Sequence, residues 1–122
     1  MPQSELLDML ASETDRRCET IIKGVEGLAE SDSSDADQFE SLRVEAHGLK
    51  GAALVGGQPR LAELAQRIEA VFAERSGAGT ISADLAADVI TAARALHEGA
   101  LAAAQDTDEP PSVAQSLELL DG

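Results

Sequence analysis

An all-α chain is predicted, folded as an up-and-down antiparallel four-helix bundle with a short fifth C-terminal helix, and three observations point there. Alanine, the best helix former and a poor strand residue, is the commonest residue of the sequence. No segment alternates apolar and β-branched residues with period two, whereas four segments repeat apolar residues at steps of three and four. At 122 residues the chain has room for one domain and a modest core, which only two aromatics, Phe39 and Phe72, leave mainly aliphatic. Sheet-based enzymes are excluded.

Leu7, Leu10, Ile21, Val25 and Leu28, with Thr14 and Cys18 on the same line, predict one long first helix from Pro2 to Ala29. The acidic, Ser-rich residues 30–38 hold a loop whose last Ser or Asp caps the next helix. That second helix runs from Ala36 to Leu54 and buries Phe39, Leu42, Ala46, Leu49 and Ala53. Gly56 and Gly57 let the chain leave it, and Pro59 starts a third helix that buries Leu61, Leu64, Ile68, Val71 and Phe72. Ser76 to Gly79 closes it. Ser82 caps a fourth helix with Leu85, Val89, Ala92, Leu96 and Ala103 inward, and packing four stripes joined by short loops makes the bundle. Residues 1–104 are thus the bundle, and 105–122 an acidic, Pro-containing linker in which a short helix over Val113, Leu117 and Leu120 can dock.

The formal charge is −14, from 23 acidic against 9 basic residues, which repels nucleic-acid phosphates and anionic membranes. Neither is an expected partner. Cys18 stands alone, so it makes no internal disulfide, and no leader or membrane-length apolar run occurs. A soluble cytoplasmic protein, monomeric as an isolated domain, is expected, with no metal site.

His47 is the residue out of place. At helical spacing it lies roughly 120° from the centre of the second helix's apolar stripe and so faces solvent. Arg43, Lys50 and Gly51 lie one turn away, Gly48 follows directly, and each glycine within a helix costs about 1 kcal/mol relative to Ala. In a chain so rich in Ala, that cost suggests close approach of something to this backbone. Residues 43–75 hold Arg43, Lys50, Arg60, Arg67 and Arg75 but only four of the 23 acids, leaving a neutral-to-basic patch suited to an acidic partner or a phosphoryl group. By position alone, a plain solvent-facing histidine fits equally well.

The run Ala46-His47-Gly48-Leu49-Lys50-Gly51-Ala52-Ala53, followed by Gly57, Leu61, Leu64, Ile68 and Glu69, resembles the signature of histidine phosphotransfer (HPt) domains. With Glu69 at its end it is most similar to the N-terminal phosphotransfer domain of chemotaxis-type (CheA family) histidine kinases. Two positions depart from that pattern: Gly56 replaces a large apolar residue, which predicts an altered end to the second helix, and Gln66 stands where chemotaxis kinases often carry another His. Both a stand-alone carrier and the N-terminal domain of a kinase satisfy the resemblance.

The resemblance implies that the far ring nitrogen of His47 takes a phosphoryl group, that Glu69 accepts a hydrogen bond from the near one, and that Lys50 offsets charge on the group in flight. The turn at Gly56 to Gln58, about midway between His47 and Glu69, would bring these two level on neighbouring antiparallel helices. A docking surface of Arg43, Gly48, Gly51 and Leu54 would receive a response-regulator receiver domain or a histidine kinase catalytic domain. No cofactor is expected in this chain, and Mg²⁺ would be held by the partner. The expected role is a phosphocarrier without a kinase site of its own: Gly48 stands where a kinase dimerisation helix would place an acid, and no strand precedes a Gly-rich phosphate loop. His97-Glu98 lacks the second His of a zinc-protease pattern and reads as surface. The rival reading is an acidic helical protein-binding adaptor without chemistry.

Overall fold

A computed structural model describes residues 2–31 and 35–121, which form α1 (Gln3–Glu30), α2 (Ala36–Val55), α3 (Pro59–Ala78), α4 (Ala83–Ala104) and α5 (Pro111–Leu119), with no strand among the described residues. The all-α expectation holds. Helix ends follow local chemistry: the Asp35 side chain accepts from the Gln38 N–H at 3.0 Å, and Ser82 from the Leu85 N–H at 3.1 Å. Each such cap stabilises its helix by about 1 kcal/mol. Asp32, Ser33 and Ser34 of the expected acidic loop lie outside the described residues. α3 ends on Gly79, whose φ of 74° is left-handed and whose N–H returns to the Arg75 carbonyl. The Asp35 N–H reaches the Gly79 carbonyl at 3.0 Å, tying the two interhelical loops at that end of the bundle together.

α2 packs most extensively along α3 and α1 along α4; α1 also touches α2, and α3 touches α4. Among the described residues α1 and α3 do not meet, nor do α2 and α4, so these are the diagonals of a four-helix bundle. Ile21, Val25, Leu42, Leu49, Leu64, Ile68, Val89 and Leu96 are buried in the centre, where Phe39 and Phe72 meet with ring centroids 6.5 Å apart. Ala46, Ala53, Ala65, Ala92 and Ala93, all buried, let the helices approach closely. Leu7, Val71, Leu85 and Ala103, expected inward, sit half-buried at the margins.

α2 ends at Val55, with Gly56 as its cap. A side chain on Gly56 would put its Cβ 3.2 Å from Leu10 of α1, and the Gly56 carbonyl accepts from Gln3 Nε2 at 3.0 Å, so α1 occupies the volume a large residue would take. In the C-terminal segment α5 lies against α4 and α3 with Val113 and Leu117 buried. Arg67 of α3 donates to the Leu117 carbonyl at 2.7 Å and pairs with Asp121 at 3.2 Å. These groups anchor the end of α5 to the helix that carries Glu69.

Candidate functional site

The buried stripe of α2 turns Phe39, Leu42, Ala46, Leu49 and Ala53 inward, and this same rotation leaves the His47 side chain 66% exposed. The three-residue turn from Gly56 to Gln58 folds α3 back beside α2 and places Glu69 across from it. His47 Nδ1 lies 3.2 Å from Glu69 Oε2 and 3.4 Å from Oε1. A carboxylate only accepts, so Nδ1 carries the ring proton in this contact and Nε2 of the neutral ring keeps a lone pair. Glu69 itself is only 14% exposed.

Three further side chains join this face. Arg43 donates through Nε and Nη2 to Glu40 at 2.8 and 2.6 Å, and through Nη1 to Glu69 at 3.3 Å. The bond to Glu40, reinforced by the charges of Glu40 and Glu69, pushes the Arg43 pKa up, and the same bond holds the Glu40 carboxyl below its ordinary range. Lys50 donates its ammonium to Gln66 Oε1 on α3. His47, Glu69, Arg43 and Lys50 are therefore brought together on the α2–α3 face.

The glycines part company. What approaches Gly48 closely is the chain's own Arg17: a Cβ there would lie 2.5 Å from Arg17 Nη1. Arg17 reaches over from α1, donating to Glu13 at 2.8 Å and to Glu45 at 3.0 Å. The Arg17 bond pulls the Glu13 carboxyl below its usual range. Gly51 is the bare position, with nothing within 4 Å of where a Cβ would stand. With Leu6, Met9, Leu10, Glu13, Ala52 and Val55 it lines a shallow groove of about 160 Å³ between α1 and α2. Met9, Val44, Leu54 and Val55 are large apolar residues exposed to solvent. Gln66 is marked in the sequence only as a departure from the chemotaxis-kinase pattern, and Arg17 and Glu40 only by Glu13 four before Arg17 and Glu40 three before Arg43, both helical ion-pair spacings.

His97 is corrected from a surface residue to a half-buried structural one. Its Nδ1 is 3.1 Å from Thr14 Oγ1, whose proton goes to the Ala11 carbonyl, so Nδ1 donates to the hydroxyl. Cys18, on the wall of a groove of about 340 Å³ between α1 and α4, is buried, and burial pushes its thiol up to about 12. It is no nucleophile at neutral pH. Among the described residues no group of three or more His, Cys, Asp and Glu side chains is placed to hold a metal ion, and no helix is long and apolar enough to cross a membrane.

A family model described as Hpt domain matches residues 5–109. No curated protein matches the chain.

Proposed function

Since the chain belongs to the Hpt domain family, whose members are histidine phosphotransfer modules of phosphorelay signalling, we propose that it carries its phosphoryl group on Nε2 of His47. The observation that carries this assignment is the exposed ring held at Nδ1 by Glu69. In acceptance, the Nε2 lone pair forms the N–P bond as the bond from phosphorus to the donor's oxygen breaks. Positive charge that develops on the ring stays at Nδ1–H, where Glu69 opposes it, much as an Asp steadies the histidine of a hydrolase triad. Donation to a receiver aspartate reverses the geometry: the N–P bond breaks, a carboxylate oxygen takes the phosphorus, and the ring returns to its neutral tautomer. Lys50, one turn along α2, is the cation able to leave Gln66 for the moving oxygens.

Hpt domains pass phosphoryl groups to response-regulator receivers. For this chain the docking surface is Gly51 and Leu54 with Gly48 beneath its Arg17 cover, rimmed by Arg43 and extended by Val55 and Met9 across the α1–α2 groove. A histidine kinase catalytic domain is the matching donor, in the cytoplasm. The residues around His47 do not fit Mg²⁺, because the nearest carboxylate, Glu69, is already engaged by His47 and Arg43. The ion belongs with the partner's carboxylates. Glu69 opposite the histidine supports the chemotaxis-kinase branch of the family.

His47→Gln tests the assignment. The side chain lies off the core, so its loss changes stability by no more than about 0.5 kcal/mol. The folded variant is expected to take up no phosphate from an active donor, while the parent gains one acid-labile, base-stable phosphoryl group by mass. Phosphate retained on the variant refutes the role of His47, and a parent that binds a receiver yet never accepts phosphate is a docking adaptor instead.

A further inference from the structure

One oxygen of Glu69 serves two donors: Oε2 lies 3.2 Å from Nδ1 of His47 and 3.3 Å from Nη1 of Arg43. The guanidinium is not free to drift from this contact. Its Nε and Nη2 are both bound by Glu40, one turn earlier on α2, and the planar fork then presents the remaining nitrogen to Glu69. Glu40 is 54% exposed and Glu69 14%, so of these two contacts the one with Glu69 is the less screened by solvent.

We propose that Arg43 is a positioning residue for phosphoryl acceptance: it offsets part of the Glu69 charge, so that the carboxylate holds the His47 ring in its Nδ1–H form without drawing a second proton onto Nε2. The proposal rests on His47 being the acceptor. An isolated carboxylate beside an imidazole favours the imidazolium, which has no lone pair left at Nε2 to attack phosphorus. A cation on the same carboxylate opposes that drift, while Oε1, 3.4 Å from Nδ1, shares in keeping the ring oriented. Of the other charged groups on this face, Lys50 of α2 is drawn to Gln66 of α3, and Glu45 of α2 to Arg17 of α1. Arg43 is thus the cation that shares Glu69 with the ring.

The test is a ring-nitrogen NMR titration of the whole chain, paired with the pH profile of phosphoryl acceptance. In Arg43→Ala the ring's titration midpoint is expected to rise by about half a unit. The ratio of parent to variant acceptance rate is then about threefold larger on the acid limb than on the alkaline one, the factor matching half a unit, whatever a change in docking adds equally at every pH. Arg43→Lys, charged but without the fork, falls between Ala and the parent. In a Glu69→Gln background the Arg43→Ala shift disappears.

An unmoved midpoint in Arg43→Ala, or a shift that persists without Glu69, overturns the proposal. So does a rate loss equal at every pH with KM for the partner raised, which is the behaviour of a docking residue alone. The titration needs no partner, so the two assignments fail separately. A parent whose His47 takes no phosphate while Arg43 still governs its titration sinks the acceptor role and leaves the triad of side chains intact.

Discussion

At the scale of the residue, the proposed role of Lys50 requires it to leave its resting position. Its ammonium rests on the Gln66 carbonyl oxygen, an uncharged acceptor that holds it without cancelling its charge. In the proposed role this half-buried cation would act on the oxygens of the phosphoryl group as their charge redistributes in the transition state, and less on the docking of a whole domain. Lys50→Ala is therefore expected to slow single-turnover transfer by about tenfold while receiver affinity changes by less than about twofold. Equal transfer rates would reduce Lys50 to a surface charge. The placement of His47 could be read from the sequence because period puts it off the stripe; Glu69 stood out through the family resemblance, with its distance beyond the turn in agreement. Arg17 over Gly48 could not, since a glycine's neighbours on another helix depend on interhelical distance and rotation, which no local pattern carries. Gly48 drew notice for its cost in a helix, but the side chain that fills its space comes from α1.

At the scale of the element, α2 presents two glycines with opposite surroundings, and the open one gives the cleaner experiment. In Gly51→Leu the new Cβ meets nothing within 4 Å and a poor helix former is replaced, so the variant should be more stable by about 0.5–1 kcal/mol. The same leucine would stand beside the α1–α2 groove, one turn from His47, on the proposed docking surface. Receiver affinity is expected to fall at least about tenfold with helicity and melting temperature maintained or raised; unchanged affinity would move the interface elsewhere. The caps Asp35, Ser82 and Gly79 were legible because each is a local contract between one residue and the next turn. The seating of α5 was legible only as an amphipathic segment. Its anchor, the Arg67 guanidinium on the Leu117 carbonyl, joins residues distant in sequence.

At the scale of the whole molecule the dominant fact is charge. A net charge of −14 on a domain this small makes self-repulsion a cost of the compact state. The exposed ion pairs, such as Lys23 with Glu19 and Arg16 with Glu13, work the other way but contribute only about 0.2–1 kcal/mol each at most. Salt screens both, and with acids outnumbering bases 23 to 9 the repulsion is the larger quantity. Raising sodium chloride from low to physiological strength should lift the melting temperature by about 2–5 °C, read by circular dichroism. A falling melting temperature would mean that the ion pairs dominate.

The pair of rings at the centre of the bundle has a further consequence. Phe39 and Phe72 are the only aromatic side chains, and the chain contains neither tryptophan nor tyrosine. The protein is consequently almost dark in fluorescence, with only the weak phenylalanine emission of a buried pair. Any tyrosine or tryptophan light from a complex belongs to the other molecule, so its quenching or enhancement reports binding without a dye, a tag or a substitution on this side of the interface.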